Sequence, residues 1–472
     1  MSATSIGVSH LDYTPHKTDT NGMGKNDSGR HLYIENLGCA KNQVDAEVMA
    51  CSLASDGWIL TEDASQADLI LVNTCGFIES AREESINTFF ELRELNPGAK
   101  IVVTGCLAQR YGQELSGQLP EADGIFGNRD LKLINGFVVG LEKTGSKTEL
   151  LVPEYPDPDS EIYRRDRLFN YPGSAYLKIS EGCNHRCGFC AIPLIRGGLR
   201  SRSMESILDE ARTLVAGGVR EINLIAQDLA AYGTDQGGKS RFPELLQKIT
   251  DIGGDFRVRM LYIHPDAFPY EILDMIRTNS KIMPYFDIPI QHASEKLLRP
   301  MKRTGNADSY TAMVNRIREA LPECVIRTTI MLGFPGETDA DFNLVYDFVK
   351  TNRFNWMGSF VYSREEGTYA WDLTDEKTHE ELSKVAAKRQ KKLEKLQEKI
   401  TAQRLQEFVG KEYDVLIEEL IEGEDLAIGR FWAQAPEVDG LTVVMGRGMV
   451  PGNVYRCGIT KVNGVDLEAV RI

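Results

Sequence analysis

Three cysteines lie within eight consecutive positions near the middle of the chain. Cys183, Cys187 and Cys190 follow the apolar run Ala175–Ile179 with the spacing C-x3-C-x2-C. Thiolates this close together are typical ligands of zinc or of an iron–sulfur cluster. Structural zinc takes four protein ligands, and no second C-x2-C or histidine pair follows nearby. The spacing favours a 4Fe-4S cluster with one open iron; the alternative is zinc with His185 as a cramped fourth ligand.

A second set of three cysteines lies in the first quarter of the chain. Cys39, Cys75 and Cys106 each come two or three residues after a predicted strand, and their separations of 36 and 31 residues each match one βαβ repeat. The carboxyl ends of parallel strands share one edge, so these thiols are predicted to meet at a second cluster site. The alternative is that they are small buried residues. The other cysteines have apolar neighbours and are predicted to be structural: Cys51, Cys324 and Cys457.

The text around both sets resembles the radical S-adenosylmethionine methylthiotransferase family, from about His31 onward. The first loop reads Glu181-Gly-Cys-Asn-His-Arg-Cys-Gly-Phe-Cys-Ala-Ile-Pro193, followed by Arg196-Gly-Gly-Leu-Arg-Ser-Arg202. Three further motifs match those that hold the auxiliary cluster of the family: Leu37-Gly-Cys39-Ala-Lys-Asn42, Asn73-Thr-Cys75-Gly-Phe and Thr104-Gly-Cys106-Leu-Ala. Ala40 departs from the proline that related enzymes often carry. The resemblance implies two 4Fe-4S clusters, with S-adenosylmethionine bound at the open iron of the first.

The elements that must position the second cysteine set form an α/β pattern. Residues 1–30 lack apolar periodicity and are predicted to be a disordered leader. Residues 31–150 alternate strands and helices, which predicts a parallel α/β domain that holds the auxiliary cluster. Residues 151–172, with several prolines and charges, are predicted to be a linker. The predicted elements are His31–Asn36, Val44–Ala54, Asp68–Asn73, Ser80–Leu95 and Lys100–Thr104.

The elements that must position the first loop form six further strand–helix rounds in residues 173–374. Six repeats fall short of the eight that close a full barrel. The resemblance implies an open, partial (β/α)6 barrel, the radical S-adenosylmethionine core. The predicted strands are Ala175–Ile179, Glu221–Ile225, Val258–Tyr262, Tyr285–Ile288, Ile326–Met331 and Trp356–Tyr362.

Barrel chemistry takes place at the carboxyl ends of strands, where this sequence has polar residues and glycines. Gly333 and Gly336 either permit close approach of the cofactor or belong to a simple turn. His264 and His292 are predicted to form hydrogen bonds or support the structure, because radical abstraction needs neither acid nor base. The predicted cofactor contacts, including the aromatic residue before the last loop cysteine, are Phe189, Gln227, Asp228, Gln291, His292, Gly333 and Glu337.

Two groups of basic residues have alternative roles. Arg196, Arg200 and Arg202 are either partners of the cofactor carboxylate or a solvated basic face. Residues 375–408 are predicted to form a connecting helix with a narrow apolar stripe. Its lysine-rich face is predicted to be solvated; the alternative is contact with ribosomal RNA.

Residues 409–472 are predicted to form a small five-stranded β-barrel of the oligonucleotide-binding type. They resemble the TRAM domain, which usually binds RNA. From Lys411 to Ile472 there are six Lys or Arg and eleven Asp or Glu, a net charge of −5, whereas a phosphate-binding barrel needs a positive groove. Phe431 and Trp432 are therefore predicted to be core residues or protein contacts rather than stacking platforms for bases.

The composition limits the classes of function. With 54 Lys plus Arg against 69 Asp plus Glu, the net charge of −15 argues against a protein that binds nucleic acid through its general field. No run approaches the length of a membrane span, and no signal peptide is evident. Clustered cysteines in a chain of 472 residues are typical of metal ligands in a reducing compartment, so a cytoplasmic location is predicted.

The local text also looks like the branch of the family that modifies a ribosomal protein. It reads Leu224-Ile-Ala-Gln227-Asp228, Gln291-His-Ala-Ser and Tyr362-Ser-Arg-Glu-Glu366-Gly-Thr. The resemblance implies transfer of a methylthio group to the β-carbon of an aspartate in the twelfth small-subunit protein, a basic partner that suits the acidic barrel. S-adenosylmethionine would be both radical source and methyl donor. Further partners would be an electron donor such as flavodoxin or ferredoxin, and a sulfur source.

Two alternatives remain at this point. One is the branch that thiomethylates C2 of an adenosine in transfer RNA. The other, from a different class, is a non-catalytic RNA-binding protein with structural zinc.

Overall fold

The computed structural model describes residues 29–143, 148–154, 165 and 167–472, without the side chains of residues 142 and 143. It divides into two compact units, Met1–Arg167 and Leu168–Ile472. Residues 1–28 of the predicted leader and much of the predicted linker lie outside the described residues. Arg30, which the sequence prediction assigned to the leader, is already the first residue of a strand.

The first unit is a parallel sheet with helices on its faces. Its strands are β1 (Arg30–Asn36), β2 (Trp58–Leu60), β3 (Leu69–Thr74), β4 (Lys100–Gly105), β5 (Gly124–Gly127) and β6 (Glu149–Leu151). Its helices are α1 (Ala40–Ser55), α2 (Glu79–Leu95), α3 (Cys106–Gln118) and α4 (Ile134–Lys143). Within the described ranges the strand order is β2-β1-β3-β4-β5-β6. Every residue of β3 is buried, as expected for a parallel strand that is covered on both faces.

The predicted elements of this unit are confirmed, with ends shifted by a few residues. The short strands β2, β5 and β6 were not predicted, because three or four residues are too few to show a periodicity. The predicted gap between strand and cysteine is wrong at two positions. Since β3 continues through Thr74 and β4 through Gly105, Cys75 and Cys106 follow their strands directly.

The second unit contains a six-stranded parallel sheet and a small barrel. The sheet strands are β7 (Ser174–Lys178), β10 (Glu221–Ile225), β11 (Arg257–Met260), β12 (Ile282–Asp287), β13 (Val325–Leu332) and β14 (Trp356–Val361). They pair in chain order in an open sheet, so the predicted partial (β/α)6 barrel is confirmed. Two short strands, β8 (Ser180–Glu181) and β9 (Arg200–Ser201), pair separately. The helices are α5 (Ile192–Arg196), α6 (Met204–Ala216), α7 (Phe242–Thr250), α8 (Ile272–Thr278), α9 (Glu295–Leu298), α10 (Ala307–Ala320) and α11 (Asp339–Asn352).

A long helix connects the sheet to the barrel, as the sequence predicts. This helix, α12 (Glu376–Leu405), begins where the Asp375 side chain accepts a hydrogen bond from the Thr378 amide at 2.7 Å. No helix of the described ranges has the length and apolar character needed to cross a bilayer.

The carboxyl-terminal barrel is closed and five-stranded. Its strands are β15 (Glu412–Leu420), β16 (Leu426–Arg430), β17 (Thr442–Met445), β18 (Val454–Asn463) and β19 (Asp466–Arg471). Phe431 is 2% exposed and packs on Phe408 and Tyr413, which confirms its predicted place in a core.

The end of β16 and the connection from β16 to β17 contact the parallel sheet toward the amino-terminal ends of its strands. Arg430 pairs with Glu221 at 2.9 Å, and the Tyr285 hydroxyl donates to Asp439 at 2.6 Å. The Trp356 indole donates to the Ala433 carbonyl at 2.8 Å. Burial opposes ionisation of Glu221, but nearby arginines outweigh it and lower the pKa of Glu221 to about 2. The barrel therefore packs against the end of the sheet opposite to the carboxyl-terminal edge.

Candidate cluster and cofactor site

The first cysteine loop leaves β7 at its carboxyl end and is closed by the β8–β9 pair. The Cys183 amide donates to the Gly197 carbonyl at 3.1 Å, which ties the start of the loop to its return segment. Gly182 has φ +72°, and a Cβ there would lie 2.0 Å from the Gly198 carbonyl oxygen. Only glycine fits between the two arms of this loop.

Gly182→Ala is therefore expected to open the loop and lose iron from it. The new methyl group clashes with a backbone oxygen, and the left-handed conformation adds strain, a combined cost of about 2 kcal/mol or more. Iron content and the Tm of the purified variant measure the effect. Gly253→Ala is the matched control, because a Cβ at Gly253 meets nothing within 4 Å. Full iron content in Gly182→Ala would contradict this account of the loop.

The second half of the loop is held by two neighbouring segments. The Gly188 amide donates to the Met301 carbonyl at 3.0 Å, and its own carbonyl accepts from Ala370 at 2.7 Å. The Cys190 amide closes a turn onto the Cys187 carbonyl at 3.1 Å. Phe189 is buried between these cysteines and packs in the hydrophobic core of the sheet.

The thiols of this loop are suited to iron. Burial raises the pKa of Cys183 to about 11 and that of Cys190 to about 12, so both are neutral until a bound metal ionises them. In the part of the chain that is described, no three His, Cys, Asp or Glu side chains are arranged to hold a single metal ion. A cuboidal cluster does not need that convergence, because each cysteine binds its own iron atom. The donor set fits a 4Fe-4S cluster with one open iron.

His185 has a partner other than a metal. Its Nε2 lies 2.8 Å from Asp228 Oδ2, and its ring stacks on that of His264 with centroids 4.1 Å apart. The other Asp228 oxygen accepts from the His264 amide at 3.0 Å. The predicted site residue Asp228 thus holds the cluster loop to the loop after β11. The zinc alternative is not supported, because no three His, Cys, Asp or Glu side chains of the described residues converge on one metal position.

A cluster of buried charged side chains surrounds Glu181, two residues before Cys183. Glu181 accepts from Lys178 at 2.7 Å and from Arg196 at 2.8 Å, with the Gln227 amide at 3.4 Å. Burial opposes ionisation of Glu181, but the two cations outweigh it and hold its pKa well below the usual range. Arg202 is likewise buried and pairs with Glu210 at 2.6 Å. For Arg196 and Arg202, the alternative of a solvated basic face is wrong.

Buried polar atoms without partners collect beside this loop. Each lies at or shortly after the carboxyl end of a sheet strand, and each lacks a hydrogen-bond partner among the described residues: Ser180 Oγ, Gln227 Oε1, His264 Nε2, Gln291 Oε1 and Tyr362 Oη. Leaving such an atom unsatisfied costs about 1–3 kcal/mol. Their concentration at one edge is what a site for a polar ligand requires. Two of the five residues, Gln227 and Gln291, are predicted cofactor contacts.

Arg303 is a candidate site residue that was not predicted from the sequence. It is buried, yet no carboxylate of the described residues pairs with it, whereas every other buried arginine described has one within 3.3 Å. Its Nη1 donates to the Pro289 carbonyl at 2.9 Å, and its guanidinium lies 6.0 Å from the Phe189 ring centroid. An uncompensated buried charge is costly, so the position fits an anionic group from a ligand. No motif around Arg303 signals this in the sequence.

The last group of predicted contacts lies after β12 and β13. Glu337 accepts from the Gly333 amide at 2.7 Å and from Arg389 of α12 at 2.5 Å. A Cβ at Gly333 would lie 2.6 Å from that of Ala386, so close packing of α12 explains this glycine. Burial lowers the pKa of His292 to about 4, and its Nδ1 accepts from the Ser294 amide. The structure gives these residues protein partners, but His292 Nε2 is buried without a hydrogen-bond partner among the described residues. Their cofactor contacts stay a prediction.

The second cysteine set lies at one edge of the first unit. A Cβ at Gly38 would lie 3.1 Å from the Cβ of Cys75, and a Cβ at Gly76 would lie 2.9 Å from the carbonyl carbon of Cys106. The segments that carry Cys39, Cys75 and Cys106 are thus in mutual contact. Cys39 is exposed, Cys75 is half-buried and Cys106 is buried.

Asn42 joins the three segments and was not predicted as a site residue. Its Nδ2 donates to the carbonyls of Leu37 and Thr74, both at 3.0 Å, and its Oδ1 accepts from Cys106 Sγ at 3.3 Å. Asn128 also donates to Cys106 Sγ, at 3.4 Å. The signal for Asn42 was present, because it ends the motif that begins at Leu37.

Three segments of the chain match models of known protein families. Residues 31–127 match uncharacterized protein family UPF0004, residues 177–349 match the radical SAM superfamily, and residues 409–472 match the TRAM domain. The radical S-adenosylmethionine methyltransferase TsrM from Kitasatospora setae has a TM-score of 0.53 at 16% identity, covering 70% of this chain and 73% of that chain, a likeness of fold. The sheet, the cysteine loop and these matches define a radical S-adenosylmethionine enzyme.

Similar proteins of known name identify the family within this class of enzymes. The ribosomal protein uS12 methylthiotransferase RimO of Treponema denticola is 43% identical over 470 residues, covering 92% of this chain and 99% of its own. Proteins of the same name from Myxococcus xanthus and Thermotoga maritima are 39% and 41% identical, covering 93% and 88% of this chain and 91% and 94% of theirs. The chain belongs to the RimO family of methylthiotransferases. Membership implies a 4Fe-4S cluster and S-adenosylmethionine.

Proposed function

We propose that the protein transfers a methylthio group to the β-carbon of an aspartate in ribosomal protein uS12, the twelfth small-subunit protein. The observation that carries the proposal is the presence of two separate three-cysteine sets in a chain whose relatives are named ribosomal protein uS12 methylthiotransferases. Because ribosomes are cytoplasmic in bacteria, this substrate implies a cytoplasmic enzyme.

The first set, Cys183, Cys187 and Cys190, would hold a 4Fe-4S cluster and leave one of its irons without a protein ligand. S-adenosylmethionine bound there supplies, on reduction by a donor such as flavodoxin or ferredoxin, a carbon-centred radical that can remove hydrogen from an unactivated carbon. The unpaired side-chain oxygens of Gln227 and Gln291 would accept hydrogen bonds from the cofactor. The buried Arg303 would pair with the carboxylate of the cofactor. The remaining proposed cofactor contacts are Phe189, Asp228, His292, Gly333 and Glu337.

The second set, Cys39, Cys75 and Cys106, holds a second 4Fe-4S cluster. Such a cluster, with three protein ligands, would supply the sulfur for transfer, and S-adenosylmethionine would supply the methyl group. Asn42 would hold the three segments together through its hydrogen bonds and would not itself bind the cluster.

The two histidines near the site are compatible with radical chemistry. Burial lowers the pKa of His264 to about 3, helped by the charge of Arg303, and that of His292 to about 4. Both rings are neutral at pH 7, and removal of a hydrogen atom requires no proton transfer. The negative barrel, with a net charge of −5 from Lys411 to Ile472, complements a basic protein substrate.

The deciding experiment offers two substrates to the anaerobically reconstituted enzyme. Small ribosomal subunits and bulk transfer RNA are incubated separately with S-adenosylmethionine, a reductant and sulfide, and the products are read by mass spectrometry. A methylthio group is expected on an aspartate of uS12 and not on RNA. A methylthio group found on transfer RNA alone would refute the proposal in favour of the adenosine-modifying branch.

A further inference from the structure

A row of lysines runs along one face of α12. This lysine ladder consists of Lys384, Lys388, Lys391, Lys395 and Lys399, and all five are exposed. Their spacing of three or four residues puts them on the same side of the helix. At 1.5 Å per residue the row is about 22 Å long.

The positive charge of the ladder is only partly offset by nearby glutamates of the same helix, Glu380, Glu381, Glu394 and Glu398. None of its lysines has a carboxylate of the described residues within ion-pair distance, whereas Lys296 and Lys411 each have one. The neighbouring Glu394 accepts instead from Ser359 at 2.8 Å, and Arg389 turns inward to Glu337. The ladder therefore stands as a local positive surface on a chain with a net charge of −15.

The charges along α12 are unequal in number. Four Lys–Lys pairs of the ladder at spacings of three or four residues are offset by four pairs of opposite charge: Glu380–Lys384, Glu381–Lys384, Lys391–Glu394 and Lys395–Glu398. Over Glu376–Leu405 there are nine Lys or Arg and five Glu, a net charge of +4. This excess of positive charge would attract an external partner that is negative.

The position of α12 brings such a partner beside the candidate cofactor site. In the first half of the helix, Ala386 packs on Gly333 at the carboxyl end of β13. In the second half, Gln397 donates to the Phe354 carbonyl and Thr401 to the Asn355 carbonyl, just before β14 begins. The ladder thus extends from the cofactor edge of the sheet toward its opposite end.

We propose that the lysine ladder binds the phosphate backbone of RNA, so that the enzyme takes its protein substrate in an RNA-bound form. This inference rests on the proposed function, because it concerns the state of the same substrate. Five lysines repel a basic ribosomal protein, but they attract the RNA on which such a protein is bound. The acidic barrel and the basic helix would then contact the two different components of one particle.

RNA binding by the reconstituted full-length enzyme tests the ladder directly. The triple variant K388Q/K391Q/K395Q is compared with K132Q/K239Q/K350Q, which removes three exposed lysines elsewhere. With a labelled RNA hairpin at about 0.1 M salt, the ladder variant is expected to bind at least about 10-fold more weakly, and its slope of log affinity against log salt to fall by about two. Circular dichroism checks that α12 is intact. Equal RNA affinity of both variants, or tight binding of an acidic protein in place of RNA, would overturn the proposal.

Turnover separates this inference from the proposed function. The ladder variant is expected to show a raised KM for uS12 within small ribosomal subunits and unchanged turnover of isolated uS12. An equal loss on both substrates would contradict an RNA-binding role. If neither substrate gains a methylthio group with the unmodified enzyme, the proposed function fails, while the hairpin measurement still decides the ladder.

Discussion

Cys187→Ala is expected to abolish cleavage of S-adenosylmethionine and to lower methylthio transfer by at least about 10³-fold. Cys187 is the middle ligand of the first loop, and its removal leaves two cysteines where a cluster with an open iron needs three. The backbone contact of this residue, its carbonyl accepting from the Cys190 amide, survives the change. The loss should therefore be one of chemistry rather than of folding.

Iron analysis and product analysis together check this result. The variant should retain about four of about eight irons per chain, because the second cluster is bound elsewhere. Cys324→Ala is the control, since Cys324 is a buried cysteine of the same unit outside the loop. Formation of 5′-deoxyadenosine by Cys187→Ala at the rate of the unmodified enzyme would remove the basis for the assigned loop.

Cys75→Ala is expected to separate the two halves of the reaction. Cleavage of S-adenosylmethionine should continue, because the first loop is unchanged, while methylthio transfer should fall by at least about 10³-fold for lack of a sulfur-bearing cluster. The Cys75 amide donates to Ser85 Oγ at 3.1 Å, and the substitution leaves this backbone hydrogen bond in place. Iron content should again fall to about four per chain.

The readout is the ratio of 5′-deoxyadenosine to methylthio product, measured in the same anaerobic incubation. Cys51→Ala is the matched control, because Cys51 lies in α1 of the same unit and outside the three cysteine segments. Methylthio transfer that persists in Cys75→Ala would show that the second set has no part in the reaction. Loss of S-adenosylmethionine cleavage in this variant would show that the two sets do not act independently.

The sequence alone located both cysteine sets and the strands that carry them. A ligand loop such as Cys183 to Cys190 is local, so its spacing can be read without knowledge of the fold. The βα periodicity likewise predicted the segments that β3, β4 and the six barrel strands occupy. Contact between the segments of Cys39, Cys75 and Cys106 followed from one rule, because the carboxyl ends of parallel strands share an edge.

Two glycines show what the sequence could not predict. Gly333 was predicted either to admit the cofactor or to form a turn, and the structure shows that it admits Ala386 of α12. The sequence does not show that position 182 requires glycine. The requirement comes from the Gly198 carbonyl on the returning arm of the loop, which a Cβ at position 182 would meet. A close approach between two segments has no signature in either segment alone.

What the sequence by itself determined is the kind of chemistry, through the type and spacing of the cysteines. The tertiary structure decided which charges are compensated: Arg196 and Arg202 have buried carboxylate partners, Arg303 has none among the described residues, and the lysine ladder remains open to solvent. The reason is physical. The environment of a charge depends on which distant segments pack around it, and that is fixed only when the chain has folded.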